Sequence, residues 1–125
     1  MTGRLLIVTA LFEVLTGVAL VVSPSVPASL LIGASLDAPS MITLARVTGG
    51  AMLSLGLACW LARHDGGSSA GRAVVSAMLL YNVAVVAVLS HASLALGVTA
   101  VLLWPAVGGH TVLAAWCIVA LRQAS

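Results

Sequence analysis

The chain has 125 residues, of which 62% are hydrophobic and only 6% are charged, and its mean hydropathy is +1.22. A water-soluble domain carries about 25% charged residues, so this composition excludes a mainly aqueous surface and indicates a membrane protein in contact with the lipid bilayer. The formal charge of +2 is too small and too dispersed for nucleic-acid binding, which requires a basic patch or stripe.

The first predicted element is a membrane-spanning helix over about residues 4–22. Glu13 is the sole ionisable side chain between residues 5 and 22, a stretch about as short as a membrane span can be. A charged side chain facing lipid at the centre of a span costs about 2.5–3.5 kcal/mol, so Glu13 is predicted to face inward. By i, i+3, i+4 spacing, its helical face also holds Thr9, Thr16, Gly17 and Leu20.

Two shorter features separate the next spans. Prolines at 24, 27 and 39 interrupt any continuous helix after the first span, and Val26–Leu36 is too short to cross a bilayer. It is therefore predicted to be a short interfacial segment between helices 1 and 2. The second and third spans are predicted near 40–63 and 71–90, joined by a polar loop rich in Gly and Ser.

The second span contains the sequence GGAMLSLG, in which small residues recur four apart. Small residues let transmembrane helices approach closely, so Gly50 and Ser54 are predicted to form a tight helix contact. The fourth span is predicted near 97–121. Pro105 is expected to kink it and to free a carbonyl, and Gly108 and Gly109 are expected to let a backbone or ligand approach.

The arginines predict the orientation of this single four-span domain, residues 1–125. Arg4, Arg63, Arg72 and Arg122 fall at one end of the spans, and the two loops at the other end contain neither Lys nor Arg. Cytoplasmic loops carry the excess of positive charge. Both termini and the Arg63–Arg72 loop are therefore predicted to be cytoplasmic, in a multi-pass protein of the cell (inner) membrane.

Counting 1.5 Å per residue from the arginine-marked surface places polar residues of three spans at a similar depth, from ~13 Å for Glu13 to ~18 Å for His110. Arg46 lies higher, at ~25 Å and close to the level of Trp104, and its guanidinium could snorkel outward or fold down toward the carboxylate. An ionisable residue inside the membrane indicates a functional site. The candidate ligand- or proton-binding residues are Glu13, Arg46, Tyr81, Asn82, Trp104 and His110.

Three functions are compatible with an all-α, four-helix transmembrane bundle carrying this polar layer. The first is binding or transport of a small molecule or proton. The second is an accessory or assembly subunit, docking a larger membrane complex or forming a homo-oligomer. The third is a membrane-embedded isomerase or cyclase for a lipid-like substrate, with Glu13 or His110 as general acid/base. A cavity beside Glu13 favours the first or third, and a filled polar layer favours the second.

No metal site or other cofactor is predicted. Cys59 and Cys117 lie in apolar segments without C-x-x-C spacing, which is typical of buried, small hydrophobic residues. The sequence also lacks a Walker loop, a Rossmann glycine pattern and an H-E-x-x-H motif, so nucleotide- and zinc-dependent chemistry of those kinds is not indicated.

Overall fold

The computed structural model describes residues 1–123, which form five α-helices. The helices are α1 (Thr2–Val22), α2 (Ser25–Ile32), α3 (Pro39–Ala62), α4 (Ser69–Leu96) and α5 (Leu103–Gln123). All except α2 are long and apolar enough to cross a membrane. The prediction of an all-helical chain with four such helices is confirmed.

The boundary between the last two long helices differs from the prediction. α4 continues to Leu96 rather than ending near residue 90, and Gly97 terminates it in a left-handed conformation with φ +70°. The N–H of Val98 donates to the carbonyl of Ala92, which is the hydrogen bonding of a glycine C-cap. α5 begins at Leu103, so Pro105 lies in its first turn, where a missing N–H is tolerated. The predicted kink at Pro105 is therefore wrong.

The short helix α2 is fixed at both ends. Pro24 precedes it, and Gly33, with φ +66°, follows its last residue, Ile32, which is four residues before the predicted Leu36 limit. The N–H of Leu102 donates to the carbonyl of Leu30 at 2.9 Å. This hydrogen bond ties α2 to the segment that leads into α5.

Helices α1 and α3 form one closely packed pair, and glycines make the approach possible. A Cβ on Gly49 would lie 2.7 Å from the carbonyl oxygen of Gly17, and one on Gly56 would lie 2.7 Å from Val14 Cγ2. The predicted contact at Gly50 and Ser54 is wrong, because a Cβ on Gly50 would meet nothing within 4 Å and Ser54 is exposed. Neighbouring positions differ by about 100° around a helix with 3.6 residues per turn. Gly49 therefore faces α1, and Gly50 points away from it.

Alanine substitutions at the two adjacent glycines are expected to have different effects on the melting temperature. Gly49→Ala should lower the melting temperature in detergent, because overpacking a close contact costs about 1–3 kcal/mol. Gly50→Ala should leave it unchanged or raise it, because alanine favours the helix over glycine by about 1 kcal/mol and meets no neighbour. Equal melting temperatures for the two variants would contradict the observed helix rotation.

Helices α4 and α5 form the second closely packed pair, and the two pairs contact each other more sparsely. They meet through an apolar core at the end that carries the N-terminus and the α3–α4 loop. Toward the α2 end, side chains of all five helices surround a cavity instead. The core residues are Leu5, Leu6, Ala10, Cys59, Val75, Met78, Leu113, Cys117 and Ala120.

Candidate functional site

A cavity of about 1340 Å³ lies between the α1/α3 and α4/α5 pairs, with α2 along its wall. It is larger than typical small-molecule sites, which measure about 300–1,000 Å³. Most of its lining is aliphatic or aromatic, so it provides apolar surface for a ligand. The polar residues that line it are Glu13, Thr16, Thr48, Tyr81 and His110.

Glu13 is the acidic residue of this lining, and only 2% of its surface is exposed. The Tyr81 side chain lines the same cavity and interacts with the Glu13 carboxyl. Within residues 1–123, the second carboxyl oxygen, Oε2, has no hydrogen-bond partner, and neither does the buried Oγ1 of Thr9, one turn earlier. A buried polar atom without a partner is uncommon and calls for an explanation, such as a ligand or an ion.

Tyr81, Asn82 and His110 form the other side of the polar group. The rings of Tyr81 and His110 pack edge to face, with centroids 5.7 Å apart. The Asn82 side chain is fully buried and lies 2.7 Å from His110 Nδ1 through its Oδ1. Glu13, Tyr81, Asn82 and His110, predicted to share one depth, are therefore connected by side-chain interactions across α1, α4 and α5.

The hydrogen bonds of Asn82 determine the protonation of His110. Asn82 Nδ2 donates to the carbonyl of Met78 at 2.7 Å, which leaves Oδ1 facing the histidine. An amide oxygen can only accept, so His110 Nδ1 must donate and carry a proton. In neutral imidazole the other ring nitrogen, Nε2, is then an acceptor. No partner for Nε2 is found among the residues described.

Two predicted site residues lie outside this arrangement. Arg46 is exposed on α3 and does not line the cavity, and it takes no part in the interactions of Glu13. Trp104 is 51% exposed and is likewise absent from the lining. Both lie close in depth to the cavity, but depth alone does not fix the direction in which a helical side chain points.

The cavity opens sideways, at exposed residues of α1 and α5. Phe12 and Leu15 of α1 and Val112 of α5 line it and are 62%, 70% and 65% exposed. These positions lie in the middle of their helices rather than at the ends. On α5, Gly108 and Gly109 also line the cavity, and a Cβ on either would meet nothing within 4 Å.

Several lining residues escaped the sequence prediction. Thr48 and Met52 of α3 and Trp116 of α5 line the cavity, but an isolated threonine, methionine or tryptophan in an apolar span resembles ordinary packing. The recurrence of small or polar residues at Gly108, Gly109 and His110 did indicate an open place on α5. The remaining lining depends on how far the two helix pairs separate, which hydropathy does not report.

Comparison of the chain with protein-family models, with curated proteins and with solved structures finds no match. The function is therefore inferred from the cavity and its polar end.

Proposed function

We propose that this protein is a four-span helical bundle of the cell membrane that binds a small, largely apolar molecule between its two helix pairs. The apolar body of the ligand occupies the cavity, and its polar end lies at Glu13. Both termini face the cytoplasm, as the positions of Arg4, Arg63, Arg72 and Arg122 indicate.

The observation that carries this proposal is the placement of an incompletely partnered carboxyl in the wall of a large apolar cavity. Ligand sites are mostly apolar clefts with a few polar groups that fix the orientation of the ligand. Intramembrane ionisable residues usually mark functional sites. A purely structural polar layer would be filled around Glu13, so the cavity favours binding over an accessory role as an assembly subunit.

Catalysis is the second candidate because Glu13 and His110 line the same cavity. A carboxyl and an imidazole facing one ligand could act as general acid and base in an isomerase or cyclase. Binding is required for either function and is therefore tested first. Transport would further require release of the ligand on the opposite side of the membrane.

Cavity occupancy can be measured with a single tryptophan. Trp116 lines the cavity, whereas Trp60 and Trp104 do not, so the double variant Trp60→Phe, Trp104→Phe leaves a reporter inside the proposed site. Bromine quenches tryptophan fluorescence on contact. A bromine-terminated long-chain alkylamine added to this variant in lipid nanodiscs is expected to quench Trp116 saturably.

The matched control retains Trp60 alone, with Trp104 and Trp116 replaced by Phe. Trp60 is 43% exposed on the outer surface of α3, so it reports partition of the probe into the surrounding lipid. Its quenching should increase linearly with probe concentration and should not saturate. Linear, non-saturating quenching of both reporters would contradict a ligand site in the cavity.

The proposed orientation has its own test. In a background with Cys59→Ala and Cys117→Ala, a cysteine at Ser68, in the α3–α4 loop, should be labelled by a membrane-impermeant maleimide only after the cells are broken. A cysteine at Thr99, which is exposed beyond the end of α4, should be labelled in intact cells. The reverse pattern would overturn the arrangement with cytoplasmic termini.

A further inference from the structure

Two hydrogen-bond acceptors are left over at the polar end of the cavity, on Glu13 and His110. Tyr81 interacts with the Glu13 carboxyl, Asn82 Nδ2 donates to the Met78 carbonyl, and His110 Nδ1 donates to Asn82 Oδ1. The groups without a partner in the described chain are a carboxyl oxygen of Glu13, the buried hydroxyl of Thr9 one turn earlier, and Nε2 of His110, which is an acceptor in the tautomer that Asn82 selects. Of these three residues, Glu13 and His110 line the cavity and Thr9 does not.

Among the described residues, no positive side chain is found beside Glu13. The cavity lining contains neither Arg nor Lys within residues 1–123, and Arg46 is exposed elsewhere on α3. A buried carboxylate is strongly unfavourable unless it is paired and hydrogen-bonded. The missing cation and the missing donors can both come from one ligand group.

We infer that the ligand of this cavity is a lipophilic amine, bound as its ammonium ion between the Glu13 carboxyl and His110 Nε2. This inference rests on the proposed binding function and specifies the chemistry of the head group. An ammonium supplies a positive charge and three N–H donors, so it can bond the carboxyl and the imidazole together. The terminal carboxyl torsion of glutamate is broad, so the Glu13 carboxyl can rotate toward a donor in the cavity.

Other head groups fit this set of acceptors less well. A hydroxyl has one donor and no charge, so it satisfies either Glu13 or His110 and leaves the carboxylate unpaired. A fatty acid would place a second carboxylate beside Glu13 and would be repelled by it. The expected order of affinity at equal chain length is therefore amine, then alcohol, then acid.

The experiment compares three bromine-terminated probes that differ only in their head group: a primary alkylamine, an alcohol and a carboxylic acid. Saturable quenching of Trp116 is measured for each in nanodiscs of uncharged lipid, with the Trp60-only variant correcting for partition. A charge-assisted hydrogen bond is about twice as strong as a neutral one, and the amine should bind about tenfold or more tightly than the alcohol. Saturable binding with equal affinities, or with the acid bound best, would overturn the amine assignment and leave the cavity as a binding site. Absence of saturation with every probe would contradict the proposed function itself.

Asn82 is a positioning residue in this scheme, and its role has a spectroscopic signature. With His64 and His91 replaced by Gln, nitrogen NMR of the remaining histidine should show a protonated Nδ1 and a bare Nε2. Asn82→Leu should shift the tautomer toward protonated Nε2 and weaken amine binding more than alcohol binding. If Asn82 has only a structural role, Asn82→Leu should leave the tautomer of His110 and the order of affinity of the amine and the alcohol unaltered. A histidine spectrum unchanged by Asn82→Leu would therefore overturn this part of the inference.

Discussion

Replacing Glu13 by Gln is expected to weaken binding of the brominated alkylamine by about ten- to one-hundredfold. Hydrogen bonds to charged groups contribute about 1.5–3 kcal/mol, and each 1.4 kcal/mol corresponds to a factor of ten in affinity. Glutamine has the shape of glutamate but cannot carry the negative charge that pairs with an ammonium. The measurement is saturable quenching of Trp116 in the Trp60→Phe, Trp104→Phe background.

The same substitution should leave the protein folded. Glu13 is 2% exposed, and Gln fills its space without a change in volume, so the melting temperature in detergent should change little. A brominated alkane without a head group provides the ligand control, because it should bind equally to both proteins through the apolar lining. A Glu13→Gln protein that binds the amine with unchanged affinity would show that the carboxyl takes no part in recognition.

Much of the fold could be predicted from the sequence because long apolar helices have a strong local signal. The long apolar helices, the prolines at their joints and the position of the short α2 all follow from composition and length. The end of the third span was predicted less well. It was expected near residue 90, but α4 continues to Leu96, and Gly97 in its left-handed conformation ends it.

The inward face of α1 was predictable for a related reason. Polar and small residues on one helical stripe are costly in lipid, and Thr9, Glu13 and Gly17 are indeed buried. The same argument failed for α3, where Gly49 and Gly50 are adjacent and equally small. Choosing between them requires the rotation of the helix about its axis, and that rotation is set by contacts with α1 rather than by any property of α3 alone.

The candidate site was partly predictable because position along a helix can be counted from the sequence. Depth along each span brought together Glu13, Tyr81, Asn82 and His110, because helix length converts residue number into height. Depth carries no information about direction, so it also selected Arg46 and Trp104, which lie outside the cavity lining. The hydrogen bonds of Asn82 to Met78 and His110 depend on side-chain geometry, and a sequence does not contain that geometry.

A second large effect is expected from filling the cavity at Gly108. This glycine lines the cavity, and a Cβ at its position would meet nothing within 4 Å, so the side chain of Gly108→Phe would start in open space. The ring would occupy apolar space that the ligand requires, near the exposed side chain of Val112. Saturable quenching of Trp116 by the alkylamine should be lost or reduced by about tenfold or more, because displacing a buried apolar portion of the ligand costs ~0.8 kcal/mol per methylene.

Gly50→Phe is the matched control, because Gly50 is also a helical glycine with open space around it but does not line the cavity. Both substitutions add the same side chain to a long apolar helix, so they should have similar effects on membrane insertion and on the melting temperature. Only the α5 variant should lose ligand binding.

If Gly108→Phe binds the amine as well as Gly50→Phe does, the ligand is bound elsewhere. Loss of binding in both would instead indicate that added bulk on any span disturbs the protein. A loss confined to Gly108→Phe, together with the loss in Glu13→Gln, would locate the apolar body and the charged end of one ligand in the same cavity.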